Sequence, residues 1–231
     1  MLRGVVPEMN TSSSARLAGA LVLAAVAACG ANHASTSPEP PQGQAAAIAR
    51  ARADSIRHPY TQADIDFMSG MIFHHAQAIV MAGWADSNQA SSPIKTLCGR
   101  IMNAQRDEIR ILQGWLRDRN QVVPEPRATG MRMKVNGVEQ DMLMPGMLSP
   151  AQMDALHQAK GPDFDSLFLR DMIQHHKGAV QMVKDLFGSY GAALDDIVFK
   201  VASDINVDQT TEIARMEKML TVDELFTGNS Q

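Results

Sequence analysis

Apolar positions along much of the chain recur every three to four residues, the period of a helix that buries one face. The pattern appears at Phe67, Met71, Ala78 and Met81, and again, 101 positions on and without a gap, at Phe168, Met172, Ala179 and Met182. A second stripe behaves the same way. Ile101, Gln105, Glu108, Ile109 and Leu112 recur 104 positions later as Ile205, Gln209, Glu212, Ile213 and Met216. The chain therefore reads as an all-α protein built from a duplicated helical hairpin, with repeats over about residues 60–119 and 161–220.

Capping signals place the helix ends. Thr61 with Asp64 three residues on makes a capping box for a first helix running to Ala82 or Ala85. Ser92 caps a second, with Pro93 at its first position and Arg117 and Arg119 suited to its C-terminal end. Between the hairpins Pro124, Pro126, Gly130, Gly137, Pro145 and Gly146 break up a long connection, and Ser149-Pro150 opens a short helix ending near Lys160. A fourth helix opens at Gly161-Pro162-Asp163 and ends by Gly188. The last is expected from about Leu194 to Leu220, with Thr221 capping one further short turn.

Everything before about residue 58 reads differently. Arg3 and Arg16 precede an apolar run over 17–28 that is too short to span a bilayer, and Val26-Ala27-Ala28-Cys29 has the form of a bacterial lipobox. Residues 1–29 are expected to be a lipoprotein-type signal peptide, with Met9 a plausible true start and Cys29 the lipidated residue that anchors the protein to a membrane without a transmembrane helix. Residues 30–57, rich in Ala, Ser, Pro, Gln and Gly, form a flexible tether, and His33 and His58 are incidental to it. Residues 58–226 are the folded domain. The net charge of −4 and the lack of a basic patch argue against nucleic acid as a partner.

The chemistry sits in the repeat. Met71-Ile72-Phe73-His74-His75 and Met172-Ile173-Gln174-His175-His176 occupy equivalent positions. Helical residues advance about 100° each, so Met71 projects between the two imidazoles about one turn before them, and Met81 falls on the same face further along. Two such faces turned inward gather His74, His75, His175 and His176, with Met71 and Met172 as soft partners and Met81 and Met182 further along. Imidazoles buried on a helix face need hydrogen-bond partners or a metal. Imidazole suits Cu, Zn, Ni and Fe, and a neighbouring thioether favours Cu(I) specifically, so copper, as Cu(I), Cu(II) or both, is expected ahead of zinc. Adjacent histidines diverge, so one site, two sites, or a site with a polar shell are all consistent with the pattern.

Several residues have competing readings. Asp64 is expected to be a cap before a ligand. Glu108 and Glu212 project near the apolar stripe and are expected on its solvated flank, although their carboxylates are within reach of the core. Six methionines, Met131, Met133, Met142, Met144, Met147 and Met153, lie in the connection, to pack it across the bundle or to capture soft metal. His157 is expected on the surface, and Cys98, equivalent to Ala202, in a small buried position. Di-iron oxidase chemistry is disfavoured, because no Glu stands three residues before any His. No nucleophile elbow or phosphate loop is present.

Asp64, Phe67, Met71, His74-His75, Ala78 and Met81, then Gln105, Glu108-Ile109 and Trp115-Leu116, Met144-Pro145-Gly146-Met147-Leu148-Ser149 and the second Met-x-x-His-His copy resemble the bacterial domain-of-unknown-function family 305. That resemblance, covering about residues 60–220, implies a ferritin-like four-helix bundle, generally exported, in a family linked to copper binding and copper tolerance. The resulting expectation is an exported, lipid-anchored copper-binding protein for metal sequestration, delivery or tolerance, facing the periplasm or cell exterior and without enzymatic activity. A non-enzymatic envelope interaction module, whose His pairs form a buried polar network or a pH-responsive contact with an envelope partner, is the alternative; a weak metal-dependent oxidoreductase is a third. The pattern leaves the oligomeric state open.

Overall fold

The computed structural model describes residues 43, 44, 46 and 60–227. The signal peptide, Cys29, almost all of the tether, His33 and His58 lie outside them. Helix α1 spans Gln62–Gly83, α2 Ser92–Asp118, a small hairpin β1 Met131–Val135 and β2 Val138–Met142, α3 Pro150–Gln158, α4 Gly161–Gly188 and α5 Asp196–Thr227. Helices α1 and α2 pack as one hairpin, α4 and α5 as the other, and α1 lies against α4. The four long helices make a ferritin-like bundle.

Most boundaries follow the capping chemistry. Thr61 and Asp64 form the expected capping box, as do Ser149 and Gln152 before α3. Three details differ. The N-cap of α2 is Ser91, leaving Ser92 and Pro93 inside the first turn. Helix α5 starts at Asp196 and runs unbroken through Thr227, because Thr221 donates its hydroxyl to the Glu217 carbonyl one turn back and does not cap a new turn. The connection also holds β1 and β2, paired antiparallel from Met131↔Met142 to Val135↔Val138. Their two-residue turn is Asn136-Gly137, both at positive φ (53° and 83°), a combination that matches strand twist.

The duplication appears as reciprocal contacts. Asp64 at the start of α1 accepts a 2.7 Å hydrogen bond from the Ala193 amide in the turn of the second hairpin. Its repeat equivalent Asp165 accepts the Ser91 amide, at 3.1 and 3.2 Å, from the turn of the first. Each helix-start carboxylate thus clasps the opposite hairpin's turn, and neither serves the histidines.

Burial is divided in two. One apolar cluster joins Phe67, Met68, Met71 and Ile72 of α1 to Ile109, Leu112 and Trp115 of α2, Ala179, Met182 and Val183 of α4, and Val198 to Ile205 of α5. The other joins Ala78 and Met81 of α1 to Ile94, Leu97 and Ile101 of α2, Phe164, Phe168 and Met172 of α4, and Met216 of α5. On each of the four long helices a polar segment separates them: His74 and His75, Gln105 and Glu108, His175 and His176, Gln209 and Glu212. The bundle has a polar waist.

Candidate metal centre

All four histidines are fully buried in that waist. The rings of His74 and His175, contributed by the adjacent helices α1 and α4, lie at its centre with centroids 3.8 Å apart and planes inclined by 39°. His75 and His176 lie outward of them, each 6.2 Å from its chain neighbour's ring. Burial, then the neighbouring His75 and His176, pushes the His74 imidazole well below its ordinary pKa; burial, then His74 and His176, does the same to His175. The central pair is therefore neutral near pH 7, the form in which imidazole binds metal.

The outer histidines have carboxylate partners. His176 Nε2 lies 2.7 Å from Glu212 Oε2 in a hydrogen bond, and His75 Nε2 lies 2.7 Å from Glu108 Oε2 with poorer alignment. Glu108 and Glu212 keep one edge toward solvent, as a flank position requires, but the carboxylate of each reaches inward across its own hairpin to a buried imidazole. The register that brings Glu108 beside His75 repeats at Glu212 and His176, and this doubled coincidence is the signal in the sequence that could have found both pairs.

Hydrogen bonding leaves much of the waist unsatisfied. His74 Nε2 is 3.1 Å from the Pro145 carbonyl. The Nδ1 atoms of His74, His75, His175 and His176, and Nε2 of His175, have no hydrogen-bond partner. Leaving such atoms unpaired in a low-dielectric interior costs about 1–3 kcal/mol each, and a bound metal would remove that penalty. The four sequence-predicted methionines are buried on both sides: Met71 and Met182 in one apolar cluster, Met81 and Met172 in the other. The donor set suits copper. Among the described residues, however, no three His, Cys, Asp or Glu side chains are arranged to hold one ion together. The four imidazoles are not a ready-made cage, and the His74–His175 pair is the closest convergence.

Part of the connection closes one side of the waist. Gln77 of α1 donates to the Leu148 and Ala128 carbonyls at 3.0 Å each and accepts the Leu148 amide at 2.6 Å. The equivalent position on α4 is Gly178, where a Cβ would collide with the Pro145 carbonyl. Gly146, at φ 78°, approaches so closely that its own Cβ would stand 2.6 Å from Gly178 Cα. These contacts lay residues 144–148 over the α1–α4 seam and bring Pro145 to His74. Of the six methionines of the connection, Met147 is buried, and Met144 is half-buried and, with Met182 of α4, faces the space left by the missing side chain of Gly70. Met133 and Met142 are exposed on the β-hairpin. His157 is exposed and stacks on Trp84 at 4.7 Å, and Cys98 is buried.

Residues 64–220 match the family described as Domain of unknown function (DUF305). Among solved structures, a DUF305 fragment from Deinococcus radiodurans is similar at 28% identity and TM-score 0.58, over 71% of this chain and 98% of that one. A DUF305 protein from Streptomyces coelicolor, at 24% identity and TM-score 0.58 over 70% of this chain and 93% of that one, shares the fold. CopM in its Cu(I)-bound form is 27% identical with TM-score 0.52, over 71% of this chain and 97% of that one. Its Cu(II)-bound form gives 28% and 0.53, over 68% and 95%. No curated protein matches the chain.

Proposed function

The chain belongs to the DUF305 family, and from that premise we propose that it is an exported copper-binding protein acting in metal sequestration, delivery or tolerance. The observation that carries this reading is the waist itself: four buried imidazoles with unpartnered nitrogens, flanked on both sides by buried thioethers. His74 and His175 are the central ligands. His75 and His176, whose Nε2 atoms face carboxylates, offer Nδ1. Met71, Met172, Met81 and Met182 are the soft donors available as the imidazoles turn. Copper-bound structures of CopM support the choice of metal. The role is binding, with no turnover invoked.

Export and anchoring rest on the lipobox ending at Cys29, and lipid attachment there would hold the protein at a membrane facing the periplasm or cell exterior. No helix among the described residues is long and apolar enough to cross a membrane. Metabolic labelling with a radioactive fatty acid tests the anchor: label present on the wild type and absent from Cys29→Ala supports it, and an unlabelled wild type overturns it.

The metal reading is tested by titrating the protein with Cu(I), Cu(II) and Zn(II), following bound metal and melting temperature, beside a variant with all four paired histidines replaced by alanine. Copper binding that raises the melting temperature in the wild type alone supports the proposal. No metal-dependent shift in the wild type overturns it in favour of the polar-network module, a reading favoured by the His176–Glu212 and His74–Pro145 hydrogen bonds.

A further inference from the structure

Helices α2 and α5 lie on the side of the bundle opposite residues 144–148, and a cleft of about 240 Å³ opens between them. Its floor is polar. Gln105 and Gln209, repeat equivalents, are only 1% and 2% exposed, and neither Oε1 has a hydrogen-bond partner; Gln105 Nε2 has none either. Two unpartnered amide oxygens at the base of a cavity are acceptors waiting for a positive guest.

The walls point the same way. Glu108 and Glu212 line the cleft with side chains 14% and 21% exposed, while the same carboxylates touch His75 and His176 at 2.7 Å. Each therefore faces solvent on one side and the imidazole layer on the other. Exposed Asp208 stands at the mouth, and an adjoining cavity of about 250 Å³ shares Glu108 and Asp208 and adds Asp204. Partial burial first, then the neighbouring Glu108, Glu212 and Asp204, raises the Asp208 carboxyl pKa, while Lys200, which pairs with Asp204, acts against them. Arg100 is the cation lining the first cavity. On the opposite face the Gly146–Gly178 contact closes the connection onto α4 at that point, and the cavity beside Pro145 and Met182 carries one α4 carboxylate, Asp185, and Asp66 of α1, with no unpartnered buried amide.

We propose that the α2–α5 cleft is the doorway by which a metal cation reaches the imidazole layer, drawn in over Asp208, held briefly by the amide oxygens of Gln105 and Gln209, and passed inward by the Glu108 and Glu212 carboxylates. The inference rests on the copper reading above. Carboxylate and amide oxygens are weak partners for copper beside imidazole, so transfer runs from the cleft to the histidines. Negative charge at a narrow mouth accelerates cation entry without changing the final site.

The test is rapid mixing of the full chain with Cu(II), bound metal being read with a colour-forming chelator, for the wild type, D208N, D208K and D185N. Asp185 lines a cavity on the other face, beside Pro145 and Met182. Uptake slowed roughly threefold in D208N and tenfold or more in D208K at low salt, converging on the wild-type rate as ionic strength rises, with D185N at the wild-type rate, is the expected result. Equilibrium affinity adjusted through faster release alone, unchanged uptake in D208K, or slowing confined to D185N overturns the route while leaving copper binding intact. A wild type that takes up no copper overturns both.

Discussion

Glu212 accepts a hydrogen bond from His176 Nε2 at 2.7 Å, with the imidazole wholly buried and the carboxylate 21% exposed. The contact places a proton on Nε2, so in the neutral ring Nδ1 is the nitrogen that keeps a lone pair for a metal. Glu212→Gln keeps the shape but frees the tautomer. Copper affinity is expected to fall about 10- to 100-fold, measured by competition with a chelator of known affinity; an unchanged affinity would show that the pair is structural only.

His175 has neither ring nitrogen paired. Replacing it with leucine removes two buried unsatisfied atoms at similar volume, and with part of that gain offset by repacking around a branched side chain the metal-free protein is expected to gain about 1–3 kcal/mol in a urea titration. The same variant is expected to lose the rise in melting temperature on adding copper. A variant that is both less stable and still stabilised by copper contradicts the assignment of His175 as a ligand.

Gly178→Ala is expected to cost about 1–3 kcal/mol, because the new methyl group would displace the Pro145 carbonyl and with it the contact to His74. Gly114→Ala in α2 is the control. No atom lies within 4 Å of its added methyl, and helix propensity predicts a gain of up to about 1 kcal/mol. Paired denaturant titrations check both.

Cys98 is 1% exposed and its thiol is pushed up to about 12, first by burial and then by the Asp165 charge. Since the thiolate is the reactive form, alkylation by iodoacetamide at pH 8–9 is expected only after denaturation. A folded state that favours the protonated thiol loses that stability as pH rises from about 9 towards 12. Mass spectrometry of native and unfolded samples reads the labelling directly.

The helices and their histidines were legible because one face repeats twice at helical period, and because Thr61, Ser149 and Gly161 carry cap and start signals that act locally. The longer reach of α5 was not, since Thr221 reads equally well as a cap or as a residue hydrogen-bonding one turn back. The β-hairpin was announced by Asn136-Gly137 but concealed by strands with little apolar alternation. The inward turn of Glu108 depends on how far α1 and α2 slide past each other, which no single helix encodes. The convergence of His74 on His175 and the hold of Gln77 on the connection likewise join residues about 70 to 100 positions apart.

Both halves of the divided core draw side chains from both hairpins. A lone α1–α2 unit would therefore carry its apolar stripe and its histidines bare to water, with nothing of its own to cover them. Before duplication, a single-hairpin ancestor would have had to fold by pairing with a second copy of itself. In the present chain the two hairpins stand to one another as the halves of such a pair, and residues 144–148 cover one of its faces.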